Sequence, residues 1–205
     1  IIAQGGAVNS QTNGFVAFDP GSSGMVTVTG ADSRWDVASS LRIGGGAAAA
    51  GGVGSLVIDS GGAVDVGQQL TIWNAGTVSL TGGSLAAATI DNDHGGSFAM
   101  TGGRLTVDLF QDGSFSQDGG TLAPGDVLAG TTAFTGILGL EAGATLEIDV
   151  GGVTAGSQHD LVTTDSLFFT NNAALDVELI NGFVPDAADT FTVLTSATNF
   201  LGSFG

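Results

Sequence analysis

The densest group of ligand-type side chains in this chain is Asp91-Asn92-Asp93-His94-Gly95. Oxygen donors at alternate positions of a glycine-bounded turn suit Ca²⁺, a hard cation that takes carboxylate and carbonyl oxygens. Asp91 and Asp93 are therefore the candidate calcium ligands. The EF-hand continuation is missing, with no Glu at the twelfth position. Gly61-Gly62 leads into Ala63-Val64-Asp65 and so lacks the calcium-binding solenoid pattern G-G-x-G-x-D. An Asx-rich corner, whose short side chains bond the local backbone, explains the same residues without a metal.

Catalytic constellations are thinner still. His159-Asp160 has two members of a hydrolytic triad, but no Ser stands in a G-x-S-x-G elbow and there is no Cys, so a loop histidine is the simpler reading. Polysaccharide cleavage on an acidic scaffold needs a cation near the reacting carbon, and only Arg34, Arg42 and Arg104 are available. Arg34 and Arg42 flank Trp35 and Asp36 and can share an outer surface with Asp65, which reads as solvated pairing with an aspartate row. Glycoside hydrolysis needs two carboxylates at a set separation across one cleft, and nothing in the sequence makes two of the many Asp converge. Trp35 and Trp73 are the candidates for stacking on sugars; Trp35 reads as core, and Trp73, next to Asn74-Ala75-Gly76, as the more exposed.

The elements that position these residues announce themselves through glycine. GMVTVTGADS from Gly24, GSLVIDSGGAV from Gly54, GTVSLTGGSL from Gly76, GSFAMTGGRL from Gly96 and GSFSQDGGTL from Gly113 are one motif, with starts 30, 22, 20 and 17 residues apart. Fixed-period self-similarity near this length marks stacked repeats, and such a unit buries its apolar face only against its neighbours. Strict alternation sorts the apolar residues onto three faces. Val26/Val28, Leu56/Ile58, Val78/Leu80, Phe98/Met100 and Phe115 form the first. Trp35/Val37, Val64/Val66, Leu85/Ala87, Leu105/Val107 and Leu122 form the second. Leu41/Ile43, Leu70/Ile72, Ile90 and Leu109 form a weaker third. Three short strands per repeat describe an all-β parallel β-helix, or β-solenoid, of about 20 residues per coil, right-handed by the default of parallel crossovers. Eight such coils at about 4.8 Å give a rod of roughly 40 Å.

Residues 1–23 fit the repeat poorly and read as a cap, a first coil or an exchangeable strand. Residues 24–135 are the glycine-cornered repeats. Residues 136–205 carry longer strands and read as wider terminal coils or a cap of the same solenoid. Ala47–Ala50, between runs of glycine, reads as an inserted loop.

Composition narrows the function. The chain has 205 residues, 36 Gly, no Cys, no Lys, three Arg and a formal net charge of −17. A nucleic-acid partner needs a basic footprint, and an anionic membrane surface repels this charge. No run of 18 apolar residues marks a membrane span, so no membrane insertion is expected. The sequence opens at Ile1 without Met or a signal-peptide pattern, as in a processed or excerpted chain.

GSLVIDSGGAVDVGQQLTIW, GTVSLTGGSL and the ending GATLEIDVGG…AGSQHDLVTT…AALDVELINGFVPDAADTFTVLTSA resemble the autotransporter-passenger-like β-helix repeats of bacterial surface proteins. They are similar in particular to large exported proteins that end in a PEP-CTERM sorting tail. The resemblance covers most of residues 24–205, and its ending is the more specific part. It implies a secreted protein of the bacterial cell surface or extracellular matrix, and it brings no catalytic residues. Phe204-Gly205 is reached with no Pro-Glu-Pro motif, apolar anchor or basic tail, which puts membrane anchoring in doubt for the sequence as given.

Two functions follow as expectations. The first is a noncatalytic structural protein that assembles with itself, head-to-tail or by strand exchange, into surface fibres or matrix. Its ends are apolar, Ile1 and Ile2 at one side and Phe200, Leu201 and Phe204 at the other, and the chain lacks the Lys that guards open strand edges. The second is an adhesin or carbohydrate-binding module, less readily a polysaccharide-cleaving one, that touches polysaccharide or a cell surface. No cofactor is expected beyond calcium at Asp91 and Asp93.

Overall fold

The computed structural model describes residues 1–170 and 172–205, and among them the chain is all β with no helix. The strands in chain order are β1 (Ala7–Ser10), β2 (Gly14–Val16), β3 (Ser23–Thr29), β4 (Arg34–Val37), β5 (Leu41–Ile43), β6 (Val53–Asp59) and β7 (Ala63–Trp73). They continue as β8 (Gly76–His94), β9 (Ser97–Leu122), β10 (Thr131–Leu140), β11 (Ala144–Val150), β12 (Leu161–Phe169), β13 (Ala174–Leu179) and β14 (Leu194–Leu201). All fourteen belong to one sheet, whose path runs from β1 to β14 without closing. Every strand pair in it is parallel.

The register shows how the chain is laid down. Within β8, Gly76–Leu80 pairs with β6, Ser84–Ala87 with the first part of β7, and Thr89–Asp91 with the second part. One strand thus meets three earlier stretches in turn, and β9 repeats the pattern on β8. Because strand side chains alternate between faces, this register stacks like positions into rows. One inward row runs Val8, Trp35, Val64, Leu85, Leu105. Leu122 follows, since the Ala123 N–H donates to Leu105 O at 2.9 Å, and Leu146 and Leu175 complete it. A second runs Val26, Leu56, Val78, Phe98. It continues through Phe115, whose ring lies 5.7 Å from that of Phe98, to Leu138, Leu167 and Phe200. The middle of each row is buried and forms the single core.

The third row corrects the sequence reading by one residue. Ile90 pairs with Phe110, which is fully buried, while Leu109 pairs with Thr89 and is half-buried. Phe110 stacks at 4.6 Å on Phe115, so the larger ring takes the place expected for Leu109.

Residues 1–23 meet the rest of the sheet where Ile2 bridges Val28, β1 pairs with β4, β2 pairs with β5, and Ser23 pairs with Val53 of β6. Toward the other end the repeat lengthens. Partners are 20 residues apart at Leu85 and Leu105, and 32 apart at Val162 and Leu194. Residues Ala47–Ala50 form an exposed loop closed by a bridge between Gly45 and Ala50.

The glycine corners answer two different needs. Gly61 has φ +85°, a conformation that costs glycine nothing. Gly83 has no such angle; a Cβ there would lie 2.1 Å from the carbonyl oxygen of Gly62, so it is required by how closely the two turns approach. Gly83→Ala is expected to destabilise the protein by about 1–3 kcal/mol. Gly113→Ala, where a Cβ meets nothing within 4 Å, is expected to be neutral or to stabilise by up to about 1 kcal/mol. Chemical denaturation of the two variants distinguishes them; equal effects would contradict the close-approach account.

Candidate functional site

Asp91, the first calcium candidate, stands at the end of β8 with its carboxylate already in use. Oδ2 accepts from Gln69 Nε2 at 2.9 Å and lies 3.3 Å from His94 Nε2. Asn92 turns inward, 7% exposed, and donates from Nδ2 to Asp112 Oδ2 at 2.7 Å. Asp93 is exposed. Among the described residues no three His, Cys, Asp or Glu side chains converge as a metal site.

Trp73 closes the same corner. Its indole stacks on His94 at 4.2 Å, and its Nε1 donates to Gly46 O at 3.0 Å. The inserted Gly/Ala loop is thus pinned against Trp73, and the Phe18 ring lies beside Gly46. The ring face and the N–H that a sugar would use are both occupied. Trp35 is core, 6% exposed, and donates from Nε1 to Ser10 Oγ at 3.1 Å.

The three arginines act on carboxylates and one ring of the chain itself. Asp36 and Asp65 face each other in the outward row, a like-charge pair, and Arg34 pairs with Asp36 and comes within 3.9 Å of Asp65. A shallow groove lined by Asn9, Arg34, Asp36, Asp65 and Gly67 lies there, with no aromatic side chain in its wall. Arg42 sits 5.5 Å over the Phe15 ring, a cation–π contact that sequence reading missed. Arg104 makes the strongest ionic joint. Its Nη1 and Nη2 donate to the two carboxylate oxygens of Glu147 at 2.7 and 2.6 Å, and its Nε donates to Asp126 Oδ1 at 3.0 Å. Such a fork is geometrically specific as well as strong, and these hydrogen bonds hold the guanidinium charged well beyond its ordinary range.

His159 and Asp160 do not form half of a triad. His159 is buried, with Nδ1 3.0 Å from Gly152 O and Nε2 3.2 Å from Thr192 O. Asp160 faces another way, accepting from the N–H of Gly130 at 2.7 Å and of Asp149 at 2.9 Å. Burial outweighs those two hydrogen bonds and pushes the Asp160 carboxyl up to about 6. Asp149, 2% exposed with Oδ2 unpartnered, is also raised, first by burial and then by Glu147 and Glu178.

The apolar ends divide. Ile1 is 93% exposed, and Phe200 and Leu201 are exposed. Ile2 is half-buried on Val28, and Phe204 is half-buried with its ring 4.6 Å from Phe169. Sequence reading missed a larger exposed set: Leu175, Val177 and Leu179 of β13, none of whose six residues is buried.

Raised carboxyls favour the protonated fold, so stability is lost as pH rises through the window from about 4 to about 6. Lowering the pH from about 7 to about 5 is expected to raise Tm, and Asp149→Asn to flatten that rise while leaving Tm at pH 7 equal or higher. Thermal unfolding of parent and variant checks this; identical pH slopes would contradict a contribution of the buried Asp149 carboxyl to the pH dependence. The chain matches no protein-family description, no curated protein and no solved structure.

Proposed function

We propose that this chain is a right-handed parallel β-solenoid serving as a noncatalytic, secreted structural protein of a bacterial surface or matrix, and that it polymerises with itself. The observation that carries the reading is a sheet of stacked rows with apolar, unpaired strands at both ends. β13 and β14 each pair on one side only, as do β1 and β2. Exposed Val8, Phe15 and Met25 lie at one end, and exposed Leu175, Val177, Leu179 and Phe200 at the other. Natural proteins blunt such edges with Lys, Pro or a covering element, and this chain has no Lys and three Pro. Contacts between unlike ends continue into a filament unless the rotation closes a ring. The resemblance to exported bacterial repeat proteins supports the location.

Each joint is weak. The four exposed side chains of the second end are 39–56% exposed, so completing their burial contributes roughly 4 kcal/mol at 1.5–3 kcal/mol per full side chain. Strand hydrogen bonds add about 1 kcal/mol each. Lost translation and rotation cost about 4–15 kcal/mol, and a net charge of −17 on each copy opposes approach.

Assembly is therefore expected to rise with protein concentration and with salt, because screening shortens the Debye length from about 30 Å at 0.01 M to about 8 Å at 0.15 M. Electron microscopy across a concentration series, in low and high salt and with or without a calcium chelator, reads this out. Filaments with an axial repeat near 40 Å or a small multiple are the expected result. Chelator sensitivity would bring Asp91 and Asp93 into the joint. Uniform short particles under every condition would sink the polymer reading.

A further inference from the structure

The two ends are complementary in detail. The row that begins at Val8 ends at Leu175, and both are exposed, at 43% and 39%. The row that begins at Val26 ends at exposed Phe200. One position further along, the outward row begins at Asn9 and passes through Asp36 and Asp65; its last pair is Glu147 and Asp176. Between these the row passes through neutral Ala86 and Thr106, and Asn9 is the neutral residue at its open start, ahead of Asp36. Its Oδ1 accepts from Gln11 Nε2 at 3.0 Å, which leaves its amide hydrogens free to donate.

We infer, on the self-assembly reading above, that a second copy seats its β1 on β13 of the first, in parallel. The register is Val8 on Leu175, Asn9 on Asp176 and Ser10 on Val177. This register places an amide donor against the Asp176 carboxylate, whereas a two-residue slip that set Ala7 beside Asp176 would offer it no side-chain donor. It also continues the inward row without a break. Slipping by one residue would turn every inward side chain outward.

The seat is partly filled by the chain's own tail. Ile2 covers Val28, with its N–H donating to Thr27 O at 2.8 Å. At the other end Phe204 covers Phe169, the residue that continues the row of Leu140, and the Gly205 N–H donates to Ala173 O at 3.0 Å. Gly202–Gly205 thus occupies the corner that Ile2–Gly6 of the incoming copy needs. These residues form a self-cap that must swing aside before β1 docks.

The test uses the absence of cysteine from the chain. Neighbouring strands set their Cα atoms about 4.8 Å apart, inside the disulfide range of about 4.4–6.8 Å. Under oxidation, the doubly substituted protein N9C/D176C is expected to give a ladder of covalent multimers that reductant removes. D65C/D176C, with Asp65 already flanked by its own neighbours, is expected to give none. Val177→Lys should abolish the N9C/D176C ladder with Tm of the monomer unchanged, and truncation after Leu201 should increase it. Filaments without the N9C/D176C ladder, or equal cross-linking in both pairs, would overturn this register while leaving self-assembly intact. Monomers at every concentration would remove both, and a weaker ladder after truncation would overturn the self-cap.

Discussion

Each inward side chain of this protein is buried by the members of its own row on either side and by the other rows of the same core. That nearest-neighbour dependence organises the whole molecule. Leu56, Ile58, Leu80 and Leu105 are fully buried because rows continue on both sides of them. Val8 and Leu175 hold equivalent positions and are exposed because their rows stop. The same alternation that buries the middle leaves apolar side chains exposed at the ends.

Some polar groups enter this core with partners supplied by the backbone. Gln117 falls in the row between Met100 and Leu140, where a hydrocarbon is otherwise the rule. It is fully buried and donates to the carbonyl oxygens of Gly120 at 2.7 Å and Thr145 at 3.2 Å, while its own oxygen has no partner. Its corner is the shortest repeat of the chain, so a flexible amide replaces a rigid aliphatic group where the turn tightens. Asn92 and Asp149 likewise each keep one buried oxygen unpaired. Removing one partner from a buried polar group costs about 1–3 kcal/mol, so these are the weak points of the stack. Arg104 compensates by clasping Asp126 and Glu147, residues 22 and 43 positions further along the chain.

Much of the stack was legible in the sequence because period-two alternation and the recurring Gly-Gly corners are both local signals. They gave the all-β class, the parallel repeat and the burial of Trp35. Leu109 was misplaced by one residue because a corner of variable length precedes it, and only the ring stack of Phe110 on Phe115 decides the register there. The environment of Trp73 was illegible for a different reason. Asn74-Ala75-Gly76 reads as an exposed turn, whereas the loop that occupies the indole comes from Gly46, 27 residues earlier. The exposed face of β13 was hidden by its own sequence. AALDVEL is an ordinary buried-strand pattern, and its exposure depends on what is not stacked over it.

On the proposed self-assembly, stability falls toward the two ends and is restored where copies meet, and amide hydrogen exchange reads that directly. In dilute solution the central strands β7 to β10 should be protected most, and β1, β2, β13 and β14 least. At concentrations where particles lengthen, protection of β1 and β13 should rise together while the centre changes little. Fast exchange in the centre, or end strands as protected in dilute monomer as β8 and β9, would contradict it.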